Sequence, residues 1–496
     1  MTITTTEPSR APAGSRWLAL GILCAGMLMI LLDTTIVNVA LRDIQTDLGF
    51  SQSGLAWVAN AYLIAFGGLL LLAGRLGDLH GQRRVFVVGL VLFTVASLLC
   101  GISQSGALLA TMRFIQGVGG ALTSAGILAM ITTLFDSPAE RARAYGVYTF
   151  IAAGGAALGM LAGGLITQWL SWHWVFIVNV PIGITVAVLA LRHVPADGET
   201  ATGRHTDVLS AALVTTGVML GVYGIVQIEG RGLVSLAALG PIAAGLAMLT
   251  AFVGRQRVAS DPLMPLQIFR SRTITVANLV LLVMYMGAVG FLFLGPLYFM
   301  RVLHYSAIAT GLALTPMPIA IGVVSVRPSP WLQARFGQRR VVLAGLTLLV
   351  IGQGLLVRLP VSSHYVTSVL PTLFVSGIGF GLALTTLTAM NMSAARPHEA
   401  GLASGLFNTT RQLGMAIGVT MSATLAESTT SQLRGDRHSA ATALVGGYHV
   451  AFGVGALLIV AALVLTATLL DRPPRAPHEP VDVLEGAEDL AVADAA

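Results

Sequence analysis

One ionisable side chain lies deep inside the first apolar segment of the chain. Asp33 falls within a run from Trp17 to Leu41 that is long enough to cross a bilayer. A charge at that depth is costly, and in membrane proteins it usually marks an ion or proton pathway. Asp33 is therefore the first candidate for chemistry, and that chemistry would be the gain and loss of a proton.

Arg113 is the candidate partner of Asp33. Asp33 lies eight residues before Leu41 and Arg113 lies seven residues after Gly106. At ~1.5 Å per residue, these positions are about 12 Å and about 10 Å from the same face of the membrane if the two segments run in opposite directions. The two charges are expected at matching depth. They would either couple proton transfer to transport or form a static pair that fixes helix packing.

The composition predicts an all-α polytopic membrane protein. The chain has 496 residues, of which 55% are apolar and 10% charged, with a mean hydropathy of +0.81. In soluble proteins roughly a quarter of the residues are charged. The net charge of +6 comes from arginine alone, because the chain contains no lysine. This absence excludes a P-loop and a Schiff-base lysine.

No pattern typical of an enzyme or a metal site occurs. The chain has neither H-E-x-x-H nor G-x-S-x-G, and Cys24 and Cys100 stand in apolar runs, where a buried hydrophobic role is expected. The arginines alternate with the apolar segments and do not form a basic patch. We therefore expect no catalytic residues, no metal, no cofactor and no nucleic-acid partner.

Apolar windows of bilayer length predict about fourteen transmembrane helices. Most of the 28 basic residues fall in alternate connecting segments, which places both termini in the cytoplasm and the chain in the cell membrane. The expected parts are an N-terminal tail (1–16), a six-helix half (17–191), a linker with two inserted helices (192–272), a second six-helix half (273–470) and a disordered tail (471–496).

An internal repeat supports two related halves. Gly81-Gln82-Arg83-Arg84-Val85 recurs as Gly337-Gln338-Arg339-Arg340-Val341, and two further blocks recur in the same order at nearly the same spacing. Duplicated halves of this kind typically surround a binding site near the middle of the membrane.

The first copy of the repeat belongs to a longer motif in a short inner loop. Its glycines allow a tight turn, and its Asp can face the N-terminus of a neighbouring helix. Anchoring by positive charge alone would explain the arginines but not the placed Asp and glycines. In the second copy Gln333-Ala334-Arg335-Phe336 stands in place of the Asp, so only the first half can carry such a lock. The motif residues are Gly74, Arg75, Gly77, Asp78, Gly81, Arg83 and Arg84.

This loop resembles the signature of the major facilitator superfamily. Further blocks narrow the resemblance to its fourteen-helix drug/proton antiporters, and it covers nearly the whole chain apart from the tails. Those blocks are Leu32-Asp33-Thr34-Thr35, Trp172-His173-Trp174-Val175-Phe176 with Asn179-Val180-Pro181, and Asn408-Thr409-Thr410-Arg411-Gln412. The resemblance implies the major facilitator fold, alternating access, and export of lipophilic compounds in exchange for protons.

A glycine ladder in the fifth segment resembles the antiporter motif. It consists of Gly155, Gly159, Gly163 and Gly164, but Met160 stands where the family pattern has proline. A proline would fix a kink. Without it, a hinge and close packing against another helix remain equal alternatives.

Several side chains are candidates for a substrate cavity. Arg411 is a second interior charge, which could bind an anionic substrate group or reach the phosphate layer. The aromatic candidates could equally face lipid. The candidate residues are Asn38, Trp57, Asn60, Tyr62, Tyr285, Asn408 and Arg411.

The sequence thus predicts a proton-driven exporter whose partners are a small lipophilic substrate, protons and membrane lipids. A proton symporter for uptake of a small metabolite is the alternative, and a membrane enzyme or channel fits the pattern less well. With a single deep carboxylate, the cavity is expected to take neutral, monocationic or weakly anionic lipophiles but not dications.

Overall fold

The structure is a computed structural model that describes residues 13–50, 52–197, 207–231, 235–259, 262–361, 364–396, 399–435 and 439–470. These residues form eighteen α-helices, a 3-10 turn at Leu266–Arg270, a π-helical turn at Tyr365–Val369, and no strand. The predicted disordered tails fall almost entirely outside them. The helices are α1 (Ala13–Leu48), α2 (Gln52–His80), α3 (Gln82–Gly101), α4 (Gly106–Ala125), α5 (Ile127–Leu134), α6 (Pro138–Trp169), α7 (His173–Ile177), α8 (Asn179–His193), α9 (Val208–Arg231), α10 (Leu236–Gln256), α11 (Arg272–Arg301), α12 (Ala307–Leu314), α13 (Pro316–Val326), α14 (Pro328–Phe336), α15 (Gln338–Leu356), α16 (Leu370–Ser393), α17 (Ala400–Gly435) and α18 (Ala440–Leu469).

The helices confirm an all-α polytopic membrane protein. Twelve helical stretches in the described part of the chain are long and apolar enough to cross a bilayer, and several of them combine two consecutive helices, as α4 and α5 do in Gly106–Leu134. Outside these twelve, α6 and α17 have 32 and 36 residues, which is sufficient length for a span. The exact number of fourteen stays a prediction.

The sequence repeat corresponds to a repeated packing arrangement. Gly81 and Gly337 both have positive φ angles, +101° and +81°, and each immediately precedes a helix, α3 or α15. Gly89 of α3 packs on the backbone of α4, and Gly345 of α15 packs in the same way on α16. A side chain at either position would collide with the neighbouring backbone, so the contacts require glycine.

The inserted pair, α9 and α10, lies beside the two halves. The two helices pack on each other, and α9 also contacts α2 and α17. Asp207 precedes α9 and accepts hydrogen bonds from Arg255 Nε at 2.8 Å and Arg255 Nη2 at 3.0 Å. This ion pair joins the N-terminus of α9 to the last turn of α10.

The two halves meet tightly at the end of the bundle where α2 ends and α17 begins, which we call the motif end. Gly74 of α2 packs on Gly401 and Gly405 of α17, and a Cβ at Gly74 would collide with the Gly401 carbonyl oxygen. Gly146 of α6 packs equally closely on the Ser325 carbonyl at the end of α13. The halves are therefore closed against each other at the motif end.

Candidate functional site

Asp33 and Arg113 form an ion pair in the interior of the first half. Arg113 Nη1 lies 2.5 Å from Asp33 Oδ2, and the two residues are 1% and 0% exposed. The second carboxylate oxygen, Oδ1, accepts hydrogen bonds from Gln116 Nε2 at 2.8 Å and Asn179 Nδ2 at 3.0 Å. The cluster joins α1, which carries Asp33, to α4 and α8.

The guanidinium group of Arg113 is held on several sides. Its Nε donates to the Val58 carbonyl at 2.9 Å and its Nη1 also donates to Gln116 Oε1 at 2.8 Å. The Tyr62 ring covers it, with 4.4 Å between Cζ and the ring centroid, and the Phe176 ring lies 5.8 Å away. The three groups that contact the Asp33 carboxylate, those of Arg113, Gln116 and Asn179, are all hydrogen-bond donors. These contacts hold α1 against α4 and α8.

The sequence analysis assigned no role to three residues of this cluster, which are Gln116, Asn179 and Ser97. Gln116 follows Arg113 by three residues and so shares its helix face, a spacing that could have revealed it. Asn179 belongs to a family-like block, but the block alone does not show which way it points. Its amide also donates to Ser97 Oγ at 3.1 Å, and Ser97 donates to the Phe176 carbonyl at 2.9 Å.

A cavity of about 270 Å³ lies between the two halves. Along α2 and α17 its lining residues, such as Phe66 and Met415, lie farther from the motif end than the closing glycine contacts. The wall is mainly apolar and includes Phe291 and Phe380 of the second half. No carboxylate is among the described lining residues, whose polar members are Thr34, Tyr285, Arg411 and Gln412.

Arg411 brings a positive charge to the cavity wall. Its side chain is 9% exposed and lies beside the hydroxyl groups of Tyr148 and Tyr285. Its Nε has no hydrogen-bond partner, and no carboxylate of the described residues forms an ion pair with it. Among the predicted cavity residues whose side chains are described, Arg411 and Tyr285 line the cavity.

The other predicted cavity residues lie elsewhere or outside the described side chains. Tyr62 covers Arg113, and Trp57 is 43% exposed and stacks on Tyr223 of α9 at 5.7 Å between ring centroids. Asn408 is buried and donates to the Ser404 carbonyl at 3.0 Å. Asn60 is half-buried and does not line the cavity, and the side chain of Asn38 is not among those described.

Asp78 of the loop motif connects the two halves at the motif end. Its Oδ1 accepts a hydrogen bond from the Gly401 N–H and its Oδ2 one from the Leu402 N–H, both at 2.8 Å. N–H groups in the first turn of a helix have no carbonyl partner within that helix, and the helix dipole favours a carboxylate at this end. Gln82 donates to Oδ1 at 2.8 Å, and Arg75 is buried nearby. The contact fits the predicted lock.

A second carboxylate, Asp197, binds the start of α3. The motif was predicted to lie in a short loop, but it occupies the end of α2 and the first turn of α3, with only Gly81 between the two helices. Asp197 accepts hydrogen bonds from the backbone N–H groups of Arg83 at 2.8 Å and Arg84 at 3.1 Å. The Arg83 guanidinium donates to the Leu191 carbonyl. Nothing in the sequence motif pointed to Asp197, because it lies more than a hundred residues away along the chain.

The glycine ladder packs α6 against α1. A Cβ at Gly155 would lie 3.0 Å from Leu31 Cβ, and one at Gly159 would collide with Thr35 Oγ1. Gly163 is buried, whereas Met160 and Gly164 fall outside the residues whose side chains are described. This arrangement agrees with close packing and leaves the hinge as a prediction.

Known proteins resemble the chain along most of its length. It is 37% identical over 482 residues to the puromycin resistance protein pur8 of Streptomyces alboniger, covering 95% of this chain and 94% of that protein. It is 37% identical over 453 residues to the cephamycin export protein CmcT of Amycolatopsis lactamdurans, covering 91% and 92%.

Solved structures share the fold at low sequence identity. The human organic anion transporter MFSD10 superposes with a TM-score of 0.65 at 14% identity, covering 92% of this chain and 100% of that one. The proton:xylose symporter XylE superposes with a TM-score of 0.64 at 14% identity, covering 93% and 97%. Residues 23–419 match the family model of the Major Facilitator Superfamily. The chain is therefore a multi-pass membrane transporter that belongs to the major facilitator superfamily.

Proposed function

We propose that this transporter exports lipophilic antibiotics or drugs in exchange for protons. The single observation that carries the proton coupling is the buried cluster of Asp33 and Arg113. Asp33 faces this cluster, while its neighbours Leu31 and Thr34 line the central cavity. A change in the protonation of Asp33 would alter the packing of α1 and with it the cavity wall. The names of the two relatives, puromycin resistance and cephamycin export, support the substrate class.

Alternating access would act through the contacts between the halves. The motif end is closed by Asp78 and the glycine contacts, and we place this end on the cytoplasmic side, together with both termini. Protonation of Asp33 from outside would loosen α1, and opening of the motif end would then admit substrate from the cytoplasm. Arg84, the exposed arginine of the loop motif, would contact anionic lipid headgroups.

Inverted membrane vesicles with an acidic lumen test both the direction and the driving force. An exporter that exchanges protons would accumulate the neutral dye N-phenyl-1-naphthylamine or the monocation ethidium in the lumen. A proton symporter for uptake would instead move its substrate out of the lumen. We expect accumulation that collapses when nigericin, with K⁺ present, dissipates the pH gradient.

The variant Asp33→Asn tests the proton site in the same vesicles. It should insert normally but lose accumulation driven by the pH gradient. Asp43→Asn, an exposed position on the same helix, is the matched control and should retain it. The coupling would be refuted if Asp33→Asn still accumulated the dye in response to the pH gradient. It would also be refuted if accumulation by the wild type did not depend on the gradient.

A further inference from the structure

The central cavity contains one charge and no counter-charge among its described lining residues. Arg411 is nine-tenths buried, reaches the cavity wall, and has no carboxylate partner in the described part of the chain. Burying an unpaired charge is unfavourable, because the low-dielectric surroundings replace water poorly. An anion placed in the cavity would offset this cost.

The surroundings of Arg411 hold the guanidinium in position without neutralising it. The hydroxyl groups of Tyr148 and Tyr285 lie beside it and offer oxygen lone pairs but no negative charge. Its Nε has no hydrogen-bond partner in the described part of the chain. Gln412, the next residue of α17, lines the same cavity and can donate an amide N–H. Together these groups form a cationic donor set on an otherwise apolar wall.

The proton site cannot serve as the counter-charge. The carboxylate of Asp33 is fully buried, is not among the residues that line the cavity, and is occupied by Arg113, Gln116 and Asn179. Arg113 and Arg411 therefore differ in their surroundings. Arg113 pairs with the Asp33 carboxylate, whereas the oxygen partners of Arg411 among the described residues are phenol hydroxyl groups.

We propose that the cavity binds lipophilic anions, with the acid group of the ligand on Arg411 and its apolar body against Phe66, Phe291 and Phe380. A guanidinium binds carboxylates and sulfonates through paired, charge-assisted hydrogen bonds. An apolar cavity of about 270 Å³ with one such group fits a compact aromatic or aliphatic acid. This inference rests on the proposed export function and identifies lipophiles with one negative charge as the substrates that bind through Arg411, whereas neutral lipophiles contact the apolar wall alone.

Two dyes that share one ring framework test the inference. 8-Anilinonaphthalene-1-sulfonate carries a sulfonate that stays ionised at every working pH, and N-phenyl-1-naphthylamine is the same framework without it. Saturable accumulation of each dye is measured in inverted vesicles with an acidic lumen. Binding to the purified protein in detergent is measured alongside by fluorescence titration.

Arg411→Gln is expected to reduce kcat/KM for the sulfonate dye by about tenfold or more, because one charge-assisted contact is lost. It should change the value for the neutral dye by less than about twofold. Arg411→Lys keeps the charge and should retain most of the sulfonate transport. Arg434→Gln, an exposed arginine on the same helix, is the matched control and should change neither value.

Several results would overturn the inference. If Arg411→Gln lowered the transport of both dyes equally, the role of Arg411 would be structural. If it left the transport of the sulfonate dye unchanged, Arg411 would not bind the sulfonate. If Arg411→Gln does not fold, the binding of the sulfonate dye to the purified wild type and to Arg411→Lys is compared instead. Saturable binding to both proteins supports the inference, and its absence from both overturns it. Transport of the neutral dye without the sulfonate would refute the anion site while export stands. Arg411-dependent sulfonate transport without any response to the pH gradient would support the anion site and refute the proton coupling.

Discussion

Asp33 and Thr34 are consecutive residues of α1 that face different parts of the molecule. The Asp33 carboxylate pairs with Arg113 inside the first half, whereas Thr34 lines the central cavity. The buried charge cluster and the central cavity are thus separated by the thickness of one helix. Coupling between them would act through α1, because the described residues show no ionisable group of the cluster in the cavity wall.

A double-mutant cycle on Asp33 and Arg113 distinguishes a coupling pair from a static one. Asp33→Asn and Arg113→Gln each leave an uncompensated buried charge and should each destabilise the protein by about 3–5 kcal/mol. The double variant places two neutral amides in the cluster and should recover much of that loss. Unfolding in detergent measures the stability, and vesicle transport measures the function.

The two interpretations differ in the double variant. If the pair couples protons, stability returns but transport driven by the pH gradient does not. If the pair only fixes the packing of α1 on α4, the recovery of stability should bring transport back with it. Recovery of both quantities would therefore contradict the role that we assign to Asp33.

The sequence was sufficient to predict the main pair of charges but not its environment. Asp33 and Arg113 stand out because ionisable residues are rare in apolar segments, and equal depth follows from the helical rise. The donors Gln116 and Asn179 are polar but uncharged. The spacing of Gln116 from Arg113 puts both on one helix face, but no comparable signal in the sequence indicates Asn179. Their roles follow from the rotation of each helix about its axis, which the spacing in the chain does not determine.

The cavity residues show the same limit more strongly. Arg411 and Tyr285 line the cavity, but Tyr62 covers Arg113 and Trp57 turns toward α9. Aromatic residues at similar depth can face the cavity, another helix or lipid. The choice between these is made by tertiary packing, including the packing of an inserted helix whose position the sequence repeat does not specify.

Replacement of Asp78 should increase the fraction of molecules in which the motif end is open. Asp78→Ala removes both hydrogen bonds to the N-terminus of α17, and each such contact to an ionised group contributes about 1.5–3 kcal/mol. A cysteine at Ala400, which is 4% exposed, reports the opening through its reaction with an impermeant maleimide in inverted vesicles. Cys24 and Cys100 are replaced by alanine in this background. We expect the labelling rate to rise roughly tenfold or more.

Asp197→Ala is the control for that experiment. Asp197 also binds a helix N-terminus, but it lies in the linker that directly follows the first half, and its partners, Arg83 and Arg84, belong to that half. Because the Asp197 contacts cross no interface between the halves, Asp197→Ala should change the labelling rate of the cysteine at Ala400 by less than about twofold. Equal labelling in Asp78→Ala and the parent would show that the Asp78 contact does not hold the motif end closed.

The glycine ladder can be tested by two substitutions in one helix. Gly159→Ala places a Cβ against Thr35 and the Leu32 carbonyl, so α6 must shift away from α1, at a cost of about 1–3 kcal/mol. Gly154→Ala meets no atom within 4 Å and should be neutral or stabilising by up to about 1 kcal/mol, because alanine favours helix. Thermal unfolding in detergent compares the two. A Gly159→Ala variant as stable as Gly154→Ala would mean that close packing is not the role of the ladder.

The ion pair of the inserted helices predicts a pH dependence of stability. Hydrogen bonds from Arg255, and then from Ser210, hold the pKa of the Asp207 carboxyl well below its usual range. Because the folded state favours the ionised form, the pair stabilises the protein above the unfolded pKa of about 3.9. That stabilisation is lost as the pH falls from there through the lower pKa of the folded state.

Thermal unfolding of the wild type and Asp207→Asn between pH 6 and pH 3 measures this effect. The wild type should be the more stable protein by a constant margin above about pH 5, and the margin should shrink as the pH falls below it. Arg255→Gln should lower stability near neutral pH, and combining it with Asp207→Asn should add little further loss, since both remove the same contact. A margin that stays constant down to pH 3 would mean that the charge of Asp207 does not hold α9 and α10 together.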